Sequence, residues 1–179
     1  TTAFRQSYGG LHRKFEVEPD MAVYGKALGN GYAITAAIGK RSVMDAAQNT
    51  FISSTFWTER IGPSAALKTL QVMQEEKSWL NITSIGKRIK NEWQRLSDKY
   101  KLNITHYGIP SLASFSFDGP NGLKYKTLLT QEMLKKGFLA SSICYSSTAH
   151  REKDLSLYFE KLEEVFSLIE KVDKDESID

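Results

Sequence analysis

The spacing of apolar residues along the second half of the chain predicts two long amphipathic helices. In residues 82–100 the apolar positions recur at steps of three and four, the spacing of one helix face; they are Ile82, Ile85, Ile89, Trp93, Leu96 and Tyr100. The same spacing predicts a final helix over residues 153–172. Two further helices are predicted over residues 63–76 and 125–136, because a proline suits the first turn of the former and Gly137 follows the latter.

Short apolar runs between these helices predict strands. The runs are residues 104–107, 111–117 and 138–145, and in the second of them apolar and small polar side chains alternate. After Trp79 the order is therefore helix, strand, strand, helix, strand, helix. This order is typical of helices packed on one face of a small, largely antiparallel sheet.

The first third of the chain is rich in glycine and small residues and predicts strands of a different sheet, joined by crossovers. Residues 21–24 form an apolar run that indicates a buried strand, and residues 34–38 form a second run. Residues 40–48 predict a short helix with Ser42 as its N-cap, and residues 51–56 favour a strand or an extended segment.

This change of pattern divides the chain near residues 76–84 into two structural units, the first of them incomplete. The chain opens Thr-Thr-Ala-Phe-Arg, with neither an initiator methionine nor a signal segment. We therefore expect a fragment of a longer protein.

Composition narrows the class of protein. The 179 residues are 41% hydrophobic and 25% charged, with a formal net charge of +3, which is too small and too evenly spread to predict a nucleic-acid partner. No apolar run approaches the roughly 20 residues that span a bilayer. The single cysteine, Cys144, and the three dispersed histidines predict neither a disulfide nor a metal site. We expect a cytoplasmic protein without membrane, nucleic-acid or metal partners.

Lys26 is the first candidate for chemistry. It follows the apolar run 21–24 and Gly25 and precedes the glycine-rich stretch 29–31, surroundings that are unusual for a lysine. Partial burial lowers the pKa of a lysine amine and makes it a nucleophile that condenses with aldehydes. On spacing alone, the commoner alternative is a lysine whose amine lies in water at the end of a strand.

The second candidate is a group of hydroxyl residues just ahead of the helix predicted over residues 63–76. Residues 53–55 are Ser-Ser-Thr, and Arg60 follows shortly after them. Hydroxyls beside a helix N-terminus bind phosphate in many proteins. The simpler alternative, favoured by the residues alone, is a loop whose serines and threonines serve as turn and N-cap residues.

Several segments taken together resemble one enzyme family. In chain order they are Tyr8-Gly9-Gly10, Pro19-Asp20-Met21, the nine residues from Tyr24 to Tyr32, Ser53-Ser54-Thr55-Phe56 and Pro63-Ser64-Ala65-Ala66. The sequence resembles the class III (subgroup II) aminotransferases, and within them the glutamate-1-semialdehyde 2,1-aminomutase-like branch. The resemblance implies pyridoxal 5′-phosphate (PLP) as cofactor, with Lys26 as the Schiff-base lysine and proton shuttle. It also implies a homodimer, in which Thr55 reaches the PLP phosphate of the neighbouring subunit.

The resemblance implies a fold as well. This is the α/β fold type I of PLP-dependent transferases, which is aspartate aminotransferase-like. Residues 1–77 would be the C-terminal part of the large PLP-binding domain, and residues 78–179 the small C-terminal α+β domain. In the family the aspartate that pairs with the pyridine nitrogen and the phosphate loop lie upstream of Thr1, so we expect this segment alone to be inactive.

Two departures from the family pattern leave alternatives open. The family often has three glycines where this chain has Gly29-Asn30-Gly31, and its usual Gly-Gly-Asn-Pro is replaced by a longer segment, residues 57–63. The resemblance does not separate an aminomutase from an aminotransferase. A non-catalytic dimerisation or binding module without PLP is the alternative from another class. A weaker one is a nucleotide- or sugar-binding protein that uses the glycine turn for phosphate.

Overall fold

A computed structural model describes residues 1–174 in two compact units, residues 1–81 and residues 82 onward. The first unit contains strands β1 (Met21–Tyr24) and β2 (Ala36–Gly39), the short helix α1 (Arg41–Met44) and helix α2 (Ile61–Glu76). Helix α3 (Ser78–Tyr100) leads into the second unit, which continues with β3 (Ile104–Tyr107), β4 (Leu112–Phe117), α4 (Gly122–Lys135), β5 (Ile143–Tyr145) and α5 (Glu152–Lys174). Most of the acidic tail 173–179, predicted to fray, lies outside the described residues.

The second unit is built around an antiparallel sheet in the order β3-β4-β5. Ala113, Phe115 and Phe117 of β4 are buried and alternate with half-buried neighbours, which confirms the predicted alternation. Helices α3, α4 and α5 supply the rest of the core, including the fully buried Trp93 and Phe166. The helical periodicity of the sequence therefore marks the side chains that form this core.

The first unit differs from its prediction in how its strands pair and in their burial. β1 and β2 pair antiparallel, with Met21 opposite Gly39, so the predicted crossovers are wrong. β1 is also not buried, since the side chain of Val23 is 71% exposed. Among the described residues this sheet has two strands, and a two-stranded sheet cannot cover both of its faces. The core of the unit instead joins Phe4, Leu28, Ala66 and Met73.

The structure changes two local predictions in the first unit. The helix predicted over residues 40–48 is α1 followed by a 3-10 turn over Asp45–Asn49, and Lys40 is its N-cap while Ser42 lies inside it. Of the two alternatives for residues 51–56, the structure excludes the strand, and Phe51 is 95% exposed. An isolated apolar run becomes a strand only when another strand satisfies its backbone, and no described strand pairs with this one.

Two boundaries move in the second unit. α4 begins at Gly122 because the Tyr125 N–H already bonds the carbonyl of Asn121, at 3.0 Å. β5 has three residues and begins only at Ile143, and Phe138 is tied to α4 instead, since its N–H bonds the Met133 carbonyl at 2.9 Å. In the part of the chain described here, no helix is long and apolar enough to cross a membrane.

Gly86 on the buried face of α3 gives a test of this packing. A Cβ added at Gly86 would lie 1.8 Å from the carbonyl oxygen of Pro110. Alanine gains about 1 kcal/mol of helix propensity over glycine, but a clash with backbone forces a larger rearrangement. We expect Gly86→Ala to lower the free energy of unfolding by about 2 kcal/mol or more, measured by urea denaturation followed by circular dichroism.

Gly119 is the matched control for this substitution. It has a φ of +87° but open space around its Cα, so Gly119→Ala costs only the left-handed backbone strain of about 1–2 kcal/mol. A Gly86→Ala protein as stable as the wild type would contradict the close contact of α3 with Pro110.

Candidate functional site

Lys26 lies where β1 gives way to a tight turn. Gly25 is extended, and Lys26 adopts a left-handed backbone conformation with a φ of +53°. A non-glycine residue pays about 1–2 kcal/mol for this conformation, and such strain concentrates at functional sites. The turn is a 3-10 helix over Lys26–Leu28, and the N–H of Leu28 bonds the Gly25 carbonyl at 3.1 Å. Because the Leu28 side chain is buried in the core of the unit, this turn is anchored.

The residues after Lys26 pack too closely for larger side chains. A Cβ added at Gly29 would lie 2.1 Å from the carbonyl oxygen of Tyr32. A Cβ added at Gly62, in the first turn of α2, would lie 2.7 Å from the carbonyl oxygen of Ala33. Ala33, just after the glycine-rich stretch, therefore lies directly against α2, and Gly29 serves close packing within the unit.

The structure agrees with the commoner of the two interpretations of Lys26. On spacing alone the sequence favours an amine in water at the end of a strand over a partly buried one, and Lys26 is exposed. Within residues 1–174 the Lys26 amine makes no hydrogen bond and no ion pair. The chain thus presents an amine that is free of protein partners on a backbone that is held in place.

Thr55 lies in an exposed turn of the same unit. The N–H of Phe56 donates to the hydroxyl oxygen of Ser54 at 3.2 Å, and the N–H of Trp57 donates to the Ser54 carbonyl at 3.3 Å. The Thr55 hydroxyl has no hydrogen-bond partner among the described residues. Thr55 and Lys26 share neither a hydrogen bond nor an ion pair in this part of the chain, so the structure does not link these two predicted site residues.

The start of α2 is occupied by a carboxylate. Glu59 accepts hydrogen bonds from the backbone N–H groups of Ile61 and Gly62, the latter at 3.0 Å. These N–H groups are the donors that an anion would need at a helix N-terminus. The helix N–H groups are thus engaged within the chain, which fits the loop interpretation that the residues alone favour, and Glu59 is a residue that sequence reasoning missed. Its signal was an acidic side chain just before the helix start.

Cys144 on β5 is in an environment that suppresses reactivity. It is a free cysteine, and burial raises the pKa of its thiol to about 11. It lines a cavity of about 150 Å³ together with apolar side chains, His150, Asp154 and Tyr158. Because a cysteine reacts as the thiolate, this environment is typical of a structural cysteine. Among residues 1–174, no three or more His, Cys, Asp or Glu residues are placed to hold a metal ion.

With this geometry established, comparison with solved structures defines the fold class. The "PLP internal aldimine form" of the Sphingopyxis sp. MTA144 FumI protein superposes with a TM-score of 0.91 at 22% identity, covering 99% of this chain and 43% of that one. A structure described as "Transaminase with PLP bound" superposes with a TM-score of 0.81 at 18% identity, covering 94% and 43%. The chain therefore has part of the α/β fold type I of PLP-dependent transferases.

Sequence comparison then establishes the family. The family profile "Aminotransferase class-III" matches residues 8–164, and the chain belongs to this family. It is 28% identical to a 3-aminobutyryl-CoA aminotransferase of Cloacimonas acidaminovorans, over 96% of this chain and 43% of the relative. It is 26% identical to a glutamate-1-semialdehyde 2,1-aminomutase of Persephonella marina, over 92% and 42%. The chain spans less than half the length of these curated relatives.

The raised pKa of Cys144 predicts slow alkylation. At pH 8 a thiol with a pKa of about 11 contains about a hundredfold less thiolate than one of ordinary pKa near 9. We expect iodoacetamide to modify Cys144 in the folded chain at least about a hundredfold more slowly than in urea, measured by intact mass spectrometry. Equal rates in the two states would contradict the buried position of this thiol.

Proposed function

We propose that this chain is part of a PLP-dependent enzyme that moves an amino group, with Lys26 as the residue that bonds to the cofactor. The observation that carries the proposal is the exposed, unpartnered amine of Lys26 on a left-handed turn that follows β1. The family assignment supports it, as do relatives that are named as an aminotransferase and an aminomutase. Which of these two reactions the complete protein performs is left open by the proposal.

The residues present fit PLP at two points. An aldehyde needs an amine that is not engaged elsewhere, and a phosphate needs hydrogen-bond donors. The Lys26 amine and the Thr55 hydroxyl are both without hydrogen-bond partners within residues 1–174, so both are available. The start of α2 does not contribute, because the Glu59 carboxylate occupies its N–H groups. On this chain the proposed phosphate contact is the hydroxyl of Thr55, the residue that the resemblance to the family implies.

PLP, when bound, supplies an aldehyde for amine exchange and an electron sink for the substrate carbon. Lys26 would hold the cofactor through Nζ, and an incoming amine would take its place. The freed Nζ would then be the base that takes the proton from the substrate carbon and delivers it to the cofactor's C4′. The anchored turn fixes the backbone of Lys26, while its four-carbon side chain lets Nζ move between these atoms.

We further propose that the complete protein is a cytoplasmic homodimer in which Thr55 serves the neighbouring subunit's site. The segment that carries Thr55 exposes large apolar side chains, with Phe51 95%, Phe56 65% and Trp57 68% exposed. Exposed apolar clusters of this kind are typical of protein contacts. A free cysteine is compatible with a reducing compartment.

The domain identities are also part of this proposal. Residues 1–77 belong to the large PLP-binding domain, and residues 78–179 form the small domain. The division of the chain into two compact units near Asn81 supports this assignment. The antiparallel three-stranded sheet with its helices supports an α+β small domain.

Replacing Lys26 tests the proposal in a full-length polypeptide that carries this chain. We expect Lys26→Ala to abolish the cofactor absorbance of the lysine-bound form and to lower kcat by about a thousandfold, because the proton shuttle is lost. Borohydride reduction followed by peptide mapping should place the pyridoxyl label on Lys26. Lys40→Ala is the matched control, because Lys40 pairs with Asp20 in an exposed ion pair. A label on another lysine, or full activity without Lys26, would overturn the proposal.

Replacing Thr55 tests the phosphate contact. A hydrogen bond to a charged group contributes enough that Thr55→Ala should weaken PLP binding about tenfold or more, measured by absorbance titration. Thr55→Ser keeps the hydroxyl and should bind PLP almost as the wild type does. If Thr55→Ala binds PLP as tightly as the wild type, Thr55 does not hold the phosphate.

A further inference from the structure

The loop that carries Thr55 is closed by side chains at both of its ends. This segment, residues 53–60, is called the Thr55 loop here. It makes two turns in succession, with backbone bonds from Trp57 N–H to Ser54 at 3.3 Å and from Glu59 N–H to Phe56 at 3.1 Å. The Ser54 hydroxyl reinforces the first turn by accepting the Phe56 N–H. The Glu59 carboxylate ties the other end to the first N–H groups of α2.

Only the downstream end of the Thr55 loop is attached to the core of the unit. α2 is held by its buried residues Ala66 and Met73 and by the close approach of Gly62 to Ala33. Glu59 lies next to this fixed point, since its Oε2 is 3.5 Å from a Cβ added at Gly62. The hydrogen bonds between the Glu59 carboxylate and the first N–H groups of α2 therefore fix this end of the loop relative to α2.

The rest of the Thr55 loop is not packed against its own unit in the described part of the chain. Residues 53–58 are all exposed in the single chain, so no side chain buried within the unit selects one loop conformation before the subunits associate. An exposed loop of this kind opens at little free-energy cost. The side-chain bonds of Ser54 and Glu59 therefore add to the backbone bonds of the two turns in favouring this conformation over the alternatives.

From this we propose that Ser54 and Glu59 are positioning residues that hold the Thr55 hydroxyl in place for the neighbouring subunit's cofactor phosphate. The inference rests on the proposed function, because it concerns the same site. Neither residue would touch the phosphate, and both would act through the backbone of the loop. Loss of a cap or turn bond of this kind costs enough to weaken PLP binding roughly tenfold.

Heterodimers of the full-length polypeptide separate positioning from general destabilisation. One subunit carries Lys26→Ala, so the other subunit holds the single site with an intact lysine. Glu59→Ala or Ser54→Ala is then placed in either subunit, and the affinity of the intact site for PLP is titrated by absorbance. We expect a roughly tenfold weaker affinity when the loop variant lies in the Lys26→Ala subunit, and an unchanged affinity when it lies in the other.

Two further variants serve as controls. Glu75→Ala removes an exposed glutamate near the far end of α2, which accepts a hydrogen bond from Gln71, and should leave the affinity unchanged in both arrangements. Glu59→Gln keeps an acceptor for the α2 N–H groups and should restore most of the affinity lost in Glu59→Ala. It also provides a folded variant if the alanine variant does not fold.

The outcomes distinguish this inference from the proposed function. If Lys26 carries the label and Thr55→Ala acts on the neighbouring subunit's site, but the Ser54 and Glu59 variants change the affinity less than twofold, only the positioning role is wrong. An equal loss of PLP affinity in both arrangements would also overturn the positioning role, because general destabilisation has the same effect whichever subunit carries the variant. If Lys26 carries no label, the proposed function and this inference both fail.

Discussion

Burial of Leu28 is the interaction on which the candidate site depends. Leu28 joins Phe4, Ala66 and Met73 in the core of the first unit, and this attaches the 3-10 turn that begins at Lys26. The core can thereby hold Lys26 in a left-handed conformation that costs about 1–2 kcal/mol in isolation. Packing therefore holds the backbone of Lys26, and within residues 1–174 its amine has no hydrogen-bond or ion-pair partner, as the proposed bond to the cofactor requires.

The Thr55 loop is held by hydrogen bonds rather than by packing. It is exposed over residues 53–58, and it is held by hydrogen bonds that Ser54 and Glu59 accept from backbone N–H groups, whereas Lys26 is held by packing. Packing is spread over many contacts, whereas two side-chain bonds are removed by two substitutions. A single substitution is therefore expected to disturb the Thr55 loop more than it disturbs the turn that carries Lys26. The departure of residues 57–63 from the family pattern places Glu59 where it caps α2.

The long helices and the strands of the second unit could be predicted to within a few residues. The three- and four-residue spacing of apolar positions predicts that Trp93, Ile89 and Phe166 are buried. The alternation of side chains predicts the buried face of β4. The failures lie in the first unit. An apolar run such as 51–56 has the composition of a strand, but its structure depends on whether another strand pairs with it. For the same reason, the composition of β1 did not reveal that Val23 is exposed.

The sequence by itself determined the order of the helices and strands after Trp79 and pointed to Lys26 and Thr55 as candidates. Both kinds of information are local, because periodicity and motifs are contained in short stretches of chain. Only the tertiary structure decided that β1 and β2 run antiparallel, that the Lys26 side chain is exposed and that Glu59 occupies the start of α2. Strand pairing, burial and hydrogen-bond partners depend on where other segments of the chain lie, and no local pattern contains that information.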